Sequence, residues 1–143
     1  MESTEHLLVT AGIIIRKKPR LEILITQRPS PKTYSPNLWE FPGGKVHEHE
    51  NPQDGLVREI KEELGLTVTP GKLFMKHTHS YVFSSKKITV DLRFYFCTIL
   101  RGSLTLLDCQ DARWVCVHDL NTFTFCDADL PVIQKLLEIF GDS

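Results

Sequence analysis

The stretch from Asn51 to Gly65, NPQDGLVREIKEELG, restricts the fold of this chain more than any other. Asn51 can cap free backbone N–H groups, Pro52 at a first helical position loses no donor that the helix needs, and Gly65 supplies a stop. Between them Leu56, Val57, Ile60 and Leu64 recur at helical spacing, so one stripe of the helix is expected to pack on a core. Glu59, Glu62 and Glu63 are read on another side. Residues three and four apart on a helix have Cβ atoms about 5–6 Å apart, so these like charges repel unless a cation lies among them. Hard carboxylate oxygens suit Mg²⁺ or Mn²⁺, which keep waters for a phosphate-bearing ligand. Arg58 and Lys61 temper the repulsion without removing it. A solvated acidic face is the plain alternative, and the flanking residues weigh against it. Gly43 and Gly44 allow close backbone approach, Lys45 beside them is a cation suited to phosphate, and Glu50 adds a fourth carboxylate.

With 143 residues, 41% of them apolar, the chain is expected to form one domain over 1–143 with a substantial core. Lys plus Arg number 17 against 18 Asp plus Glu, a net charge of -1, so no global basic field favours nucleic acid and any anionic ligand must be met locally. Cys97, Cys109, Cys116 and Cys126 form no C-x-x-C pair and are read as reduced thiols of a cytoplasmic protein. No apolar run approaches the ~18 residues of a membrane span.

HLLVTAGIII (His6 to Ile15) and LEILITQ (Leu21 to Gln27) read as two β-branched-rich strands in a hairpin. The three prolines and two serines of Arg28 to Asn37 predict a loop. Alternation of Ile88, Val90, Leu92, Phe94 and Phe96 predicts a strand over Lys87 to Cys97, and Ala112 to Val117 a further short one. Leu130 to Phe140 has apolar residues at helical spacing behind Pro131. Strands with two helices far apart in sequence favour an α+β class.

Gly44, Glu50 and Arg58-Glu59-Ile60-Lys61-Glu62-Glu63-Leu64-Gly65-Leu66 match every position of the box, residues 44–66 here, that defines the Nudix hydrolases. Gln27-Arg28, Leu38-Trp39-Glu40-Phe41-Pro42-Gly43-Gly44-Lys45 and Leu130-Pro131-Val132-Ile133 resemble the MutT branch. The resemblance implies an α/β/α sandwich around a mixed sheet, a divalent cation, Mg²⁺ or Mn²⁺, and water attack on phosphorus. It further implies release of a nucleoside monophosphate and pyrophosphate from a nucleoside triphosphate, modified ones among them.

It also implies roles for single residues. Glu59 and Glu63 would hold metal together with the Gly43 carbonyl, and Glu62 as a further ligand. Glu59 is the first candidate for general base, with a later-loop carboxylate as the other option. Asp108, six residues before Trp114, is read either as that base or third ligand, or as a turn aspartate. Arg58 would orient the glutamates. Arg28 and Lys45 are candidates for phosphate contact, while Lys86 and Lys87 are equally read as covering a hairpin tip. Phe41, Tyr81 and Phe83 could wall a base pocket or fill a core. Asp129, two residues before Pro131, stands where members reading 8-oxoguanine carry Asn and those acting on CTP carry Asp, and it could equally cap the last helix. Other nucleoside diphosphate derivatives, and a sensor module without turnover, are the remaining readings. The expected partner is a nucleotide, with neither stable nucleic-acid binding nor a membrane, and the chain is expected as monomer or dimer.

Overall fold

The computed structural model describes residues 3–17, 19–29 and 37–141. Its elements in order are β1 (Ser3–Lys17), β2 (Leu21–Gln27), β3 (Trp39–Glu40), β4 (Gly43–Lys45), α1 (Pro52–Leu64), β5 (Thr67–Phe83), β6 (Lys86–Arg101), β7 (Asp111–Cys116) and α2 (Leu130–Phe140). Short 3₁₀ turns at Val117–Thr122 and Asp127–Asp129 lead into α2. The expected β1–β2 hairpin is present, with Ile15 opposite Ile23 in antiparallel register. Residues 30–36 of the expected proline-rich loop lie outside the described residues.

The sheet runs β3-β2-β1-β6-β5, with β4 on β1 and β7 on β2. β1 pairs with β6 in parallel and the remaining ladders are antiparallel, so the sheet is mixed. β1 shares one edge between two partners: Val9 to Ala11 pair with β4, and Ile15 to Lys17 pair with β2. That division splays the sheet beside β4 and brings the Gly43–Lys45 strand under α1.

Each face of the sheet carries one helix. Leu56, Ile60 and Leu64 of α1 are fully buried against Ile14, Leu24, Tyr95 and Cys97. Val132, Ile133 and Leu136 of α2 pack on the opposite face with Ile13, Ile23, Ile25 and Phe94. Burying such a side chain contributes roughly 1.5–3 kcal/mol, so α1 is held rigidly against the sheet by its apolar stripe. Asn51 caps α1 through a 2.8 Å bond from the Asp54 amide, and Gly65 ends it in the left-handed region at φ 70°. This is the α/β/α sandwich around a mixed sheet that the box implied.

Two strands run longer than their sequence signals, and one has no such signal at all. β1 and β6 extend past their alternating apolar cores, because each continues to find a neighbour to bond. β5 escapes a pattern reading because Pro70 and Gly71 interrupt it and its later residues are polar on both faces. The register shifts between Pro70 and Leu73 and again before Met75, so bulges absorb the interruption. Its hairpin with β6 turns through Ser84, and Lys86 at that tip pairs with Glu5 at 3.1 Å. The tip reading of Lys86 therefore accounts for it. All four cysteines are free, Cys97 buried and the others half-buried. Among the described residues no helix is long and apolar enough to cross a membrane.

Candidate active site

Arg58 organises one side of the site. Its Nε and Nη2 donate to the two oxygens of Glu50 at 2.9 and 3.0 Å, a bidentate fork. Nη1 donates to Glu59 at 3.0 Å and to Glu62 at 3.2 Å, and Nη2 also reaches the Lys45 carbonyl at 2.9 Å. One guanidinium thus ties the start of α1, its middle and the end of β4. These bonds, with the His47 amide, pull the Glu50 carboxyl down to about 2 and raise Arg58 above its ordinary value. Glu62 itself points outward, its side chain 60% exposed.

Gly44 lies directly beneath Glu59. A Cβ there would come within 2.5 Å of the Glu59 carboxyl carbon, so only a glycine admits this carboxylate over β4. At Gly43 a side chain would run into the Thr10 backbone of β1.

Glu63 departs from the expectation that all three glutamates face outward. It is buried, 9% exposed, because it follows Ile60 by three residues and Leu56 by seven and so shares their side of the helix. Thr26 donates to it at 3.5 Å. Burial, then the negative charges of Glu40, Glu59 and Asp108, push its carboxyl up to about 8 against hydrogen bonding from the Gly43 backbone. The Glu63 carbonyl accepts from the Leu107 and Asp108 amides at 3.0 and 3.2 Å, which places Asp108 beside it on an exposed loop.

A cavity of about 500 Å³ opens on the other side of β4. Gly43, Gly44 and Lys45 line its β4 end, and Arg28, Glu40, Phe41 and Asp129 also line it. Phe41 is buried against Phe94 and Phe125, so it is both wall and core. Tyr81, 40% exposed, stands at the rim, and the side chain of Phe83 lies outside the described residues. Arg28 donates to Glu40 at 3.0 Å, so it is already engaged by a carboxylate. Asp129 stands at the N-terminus of α2 yet makes no capping hydrogen bond; it is 6% exposed and faces the cavity. Burial and Glu40 raise its carboxyl well above the ordinary range, while Arg28 and the Phe41 backbone act in the opposite sense.

The two halves meet at Glu40 and Thr26, residues that the sequence did not single out. Glu40 neighbours Arg28, Glu63 and Asp129, and buried Thr26 touches both Glu63 and the Glu40 carbonyl. The period-2 spacing of Thr26 with buried Leu24 was the available signal. Among the described residues no three acidic, histidine or cysteine side chains stand close enough, as placed, to enclose a cation. The donor set nevertheless fits one. Glu63 is buried beside further negative charge and, among the described residues, pairs with no cationic side chain, so positive charge is what this corner lacks.

Carboxylates supported from a rigid helix, next to a cavity with polar groups at both ends, form a candidate site for a charged ligand. The NUDIX domain model matches residues 6–136, and the chain belongs to the NUDIX family of hydrolases, which act with a divalent metal. It is 35% identical over 132 residues to an 8-oxo-dGTP diphosphatase of Escherichia coli, covering 92% of this chain and 97% of that one. It is 30% identical over 131 residues to a CTP pyrophosphohydrolase of the same organism, covering 92% and 91%. Among solved structures, a MutT studied from Aliivibrio salmonicida and Vibrio cholerae superimposes with TM-score 0.71 at 33% identity, covering 95% of this chain and all of that chain.

Proposed function

We infer that the protein is a Mg²⁺-dependent nucleoside triphosphate pyrophosphohydrolase that converts modified nucleotides to the monophosphate and pyrophosphate. The observation that carries the reading is the buried, cation-deficient Glu63 lying within reach of Glu59 and Asp108, next to the cavity that ends in Asp129. Glu59, Glu63 and the Gly43 carbonyl would hold the metal, with Glu62 swinging in from solvent and Asp108 from its loop. Mn²⁺ has the same ligand preferences. A cation bound there neutralises phosphate oxygens and lowers the pKa of water.

The chain's own residues supply the rest. Glu59 takes the proton of the attacking water, and Arg58 fixes its orientation by a 3.0 Å bond. Lys45, and Arg28 once drawn from Glu40, meet the phosphates at the glycine-lined end. Phe41 walls the base, and Asp129 reads its edge. Burial favours the protonated carboxyl at Asp129, which donates and accepts as an amide does, and so suits the keto and N7–H edge of an oxidised guanine. Ionised, the same group accepts only and suits the amine of cytosine, the reading that the likeness to a CTP pyrophosphohydrolase favours. Free cysteines and a nucleotide substrate support a cytoplasmic location, and the proposed state is monomer or dimer.

Hydrolysis of 8-oxo-dGTP, dGTP, dCTP, 5-substituted dCTP and CTP by wild type and Asp129→Asn tests this directly. A preference for the oxidised purine that survives the change to Asn supports the donor form. Loss of cytosine substrates on that change would support the acceptor form, and a flat panel in both proteins would remove Asp129 from base reading.

A further inference from the structure

The segment from Phe125 to Asp129 lines the cavity through Cys126, Asp127, Ala128 and Asp129, and it is not part of a long helix or strand. Its position depends on a few ties. On one side it is stitched to β3: Trp39 receives a bridge from Phe125, and the Cys126 amide donates to the Trp39 carbonyl at 3.0 Å. Within the segment the Asp129 amide donates to the Cys126 carbonyl at 3.0 Å. On the other side stands His77 of β5, whose Nε2 lies 2.8 Å from the Ala128 carbonyl. A carbonyl only accepts, so Nε2 carries the proton, and the ring is fixed in orientation.

The ring is further held by stacking on Phe94, with centroids 5.9 Å apart and planes 1° from parallel. Phe94 in turn meets Phe41 edge-on at 6.1 Å. Ala128 and Asp129 line the cavity, whereas His77 stands outside that lining. His77 therefore acts on a bound base from outside the lining, through the carbonyl next to Asp129. Trp39 fixes the segment's entrance, and His77 fixes its exit just before the reading group.

We propose that His77 is a positioning residue for base discrimination, setting the depth of Asp129 in the cavity through its bond to the Ala128 carbonyl. The inference rests on the reading of this cavity as the nucleotide site. The bond concerns the base and not the reacting phosphate, so its loss moves KM and the choice of base and leaves kcat in place. A neutral hydrogen bond contributes about 1 kcal/mol, which corresponds to about a fivefold change in KM for the preferred nucleotide.

The test compares His77→Leu, which removes the donor, with His77→Gln, whose amide nitrogen can stand where Nε2 stood. Each is assayed over 8-oxo-dGTP, dGTP, CTP and dCTP, with Asp129→Asn as reference, and hydrogen exchange is followed in a peptide spanning 125–130. In His77→Leu the KM of the preferred nucleotide is expected to rise about fivefold with kcat retained. Discrimination should narrow and the 125–130 amides should exchange faster, while His77→Gln restores all three. If His77→Leu does not fold, His77→Asn, too short to reach the carbonyl, takes its place. Unchanged discrimination in His77→Leu while Asp129→Asn shifts it would overturn the role of His77 and leave the pocket standing. Unchanged discrimination in both would overturn the pocket reading as well. Failure of His77→Gln to rescue would show that the ring's packing, not its hydrogen bond, is what matters, and would also overturn the proposal.

Discussion

Glu63 is costly to bury in the ionised state, and that cost has a sign that can be measured. Its carboxyl is pushed up to about 8 in the folded chain against about 4.3 for an unfolded one, so between these values the folded state holds the extra proton. The metal-free protein is therefore expected to lose stability as pH rises from about 4.3 through about 8, by an amount on the order of a few kcal/mol. Urea denaturation in chelator at about pH 5 and about pH 9 should show this fall in wild type and a smaller one in Glu63→Gln, where the buried Asp129 carboxyl still contributes. Parallel curves would mean that Glu63 ionises without difficulty. Arg58 offers a second residue-level test. Lysine keeps the charge but cannot reach Glu50 bidentately while also meeting Glu59 and the Lys45 carbonyl, so Arg58→Lys should lower activity about 10–100-fold with the fold intact. Steady-state assay beside circular dichroism checks it. The resemblance of the box to the Nudix pattern pointed to Arg58, Glu59 and Glu62. Thr26 and Glu40 were not legible, since their importance comes from neighbours more than 20 residues away in sequence or on other strands.

On the scale of elements, α1 has to be rigid because it carries the carboxylates. Leu56, Ile60 and Leu64 hold it, and truncating Ile60 to Ala is expected to cost about 2–5 kcal/mol, read by chemical denaturation. Gly44→Ala should behave in the opposite way. The added methyl collides with the Glu59 carboxyl, so activity should fall steeply while the melting temperature moves little, since the displaced group is a side chain at the surface of the site. A variant with full activity would show that Glu59 does not need its place over β4. The helix was readable because cap, stop and stripe agreed over Asn51 to Gly65. β5 was not, because its bulges break the period and its exposed residues carry no alternation; its pairing is set by β6, whose pattern was plain.

At the scale of the whole molecule, the mixed sheet separates two tasks. One face bears α1 and the carboxylates; the other bears α2 and delivers Asp129, and the Gly43–Lys45 strand lies at the border between them. A substrate spanning that border would place its phosphates under α1 and its base against the segment that precedes α2. The sequence showed the first half through fixed spacing in one segment. The cavity could not be read there, since it is assembled from β1, β3, β4, β5, β6 and the turn before α2. The most direct measurement is the product analysis of 8-oxo-dGTP hydrolysis by phosphorus NMR, with Mg²⁺ and with chelator, in wild type and Glu63→Gln. Monophosphate and pyrophosphate in equal amounts, formed only by wild type and only with Mg²⁺, are expected. Release of orthophosphate, or turnover that persists in chelator or in Glu63→Gln, would contradict the assignment of Glu63 to a metal-dependent pyrophosphohydrolase site.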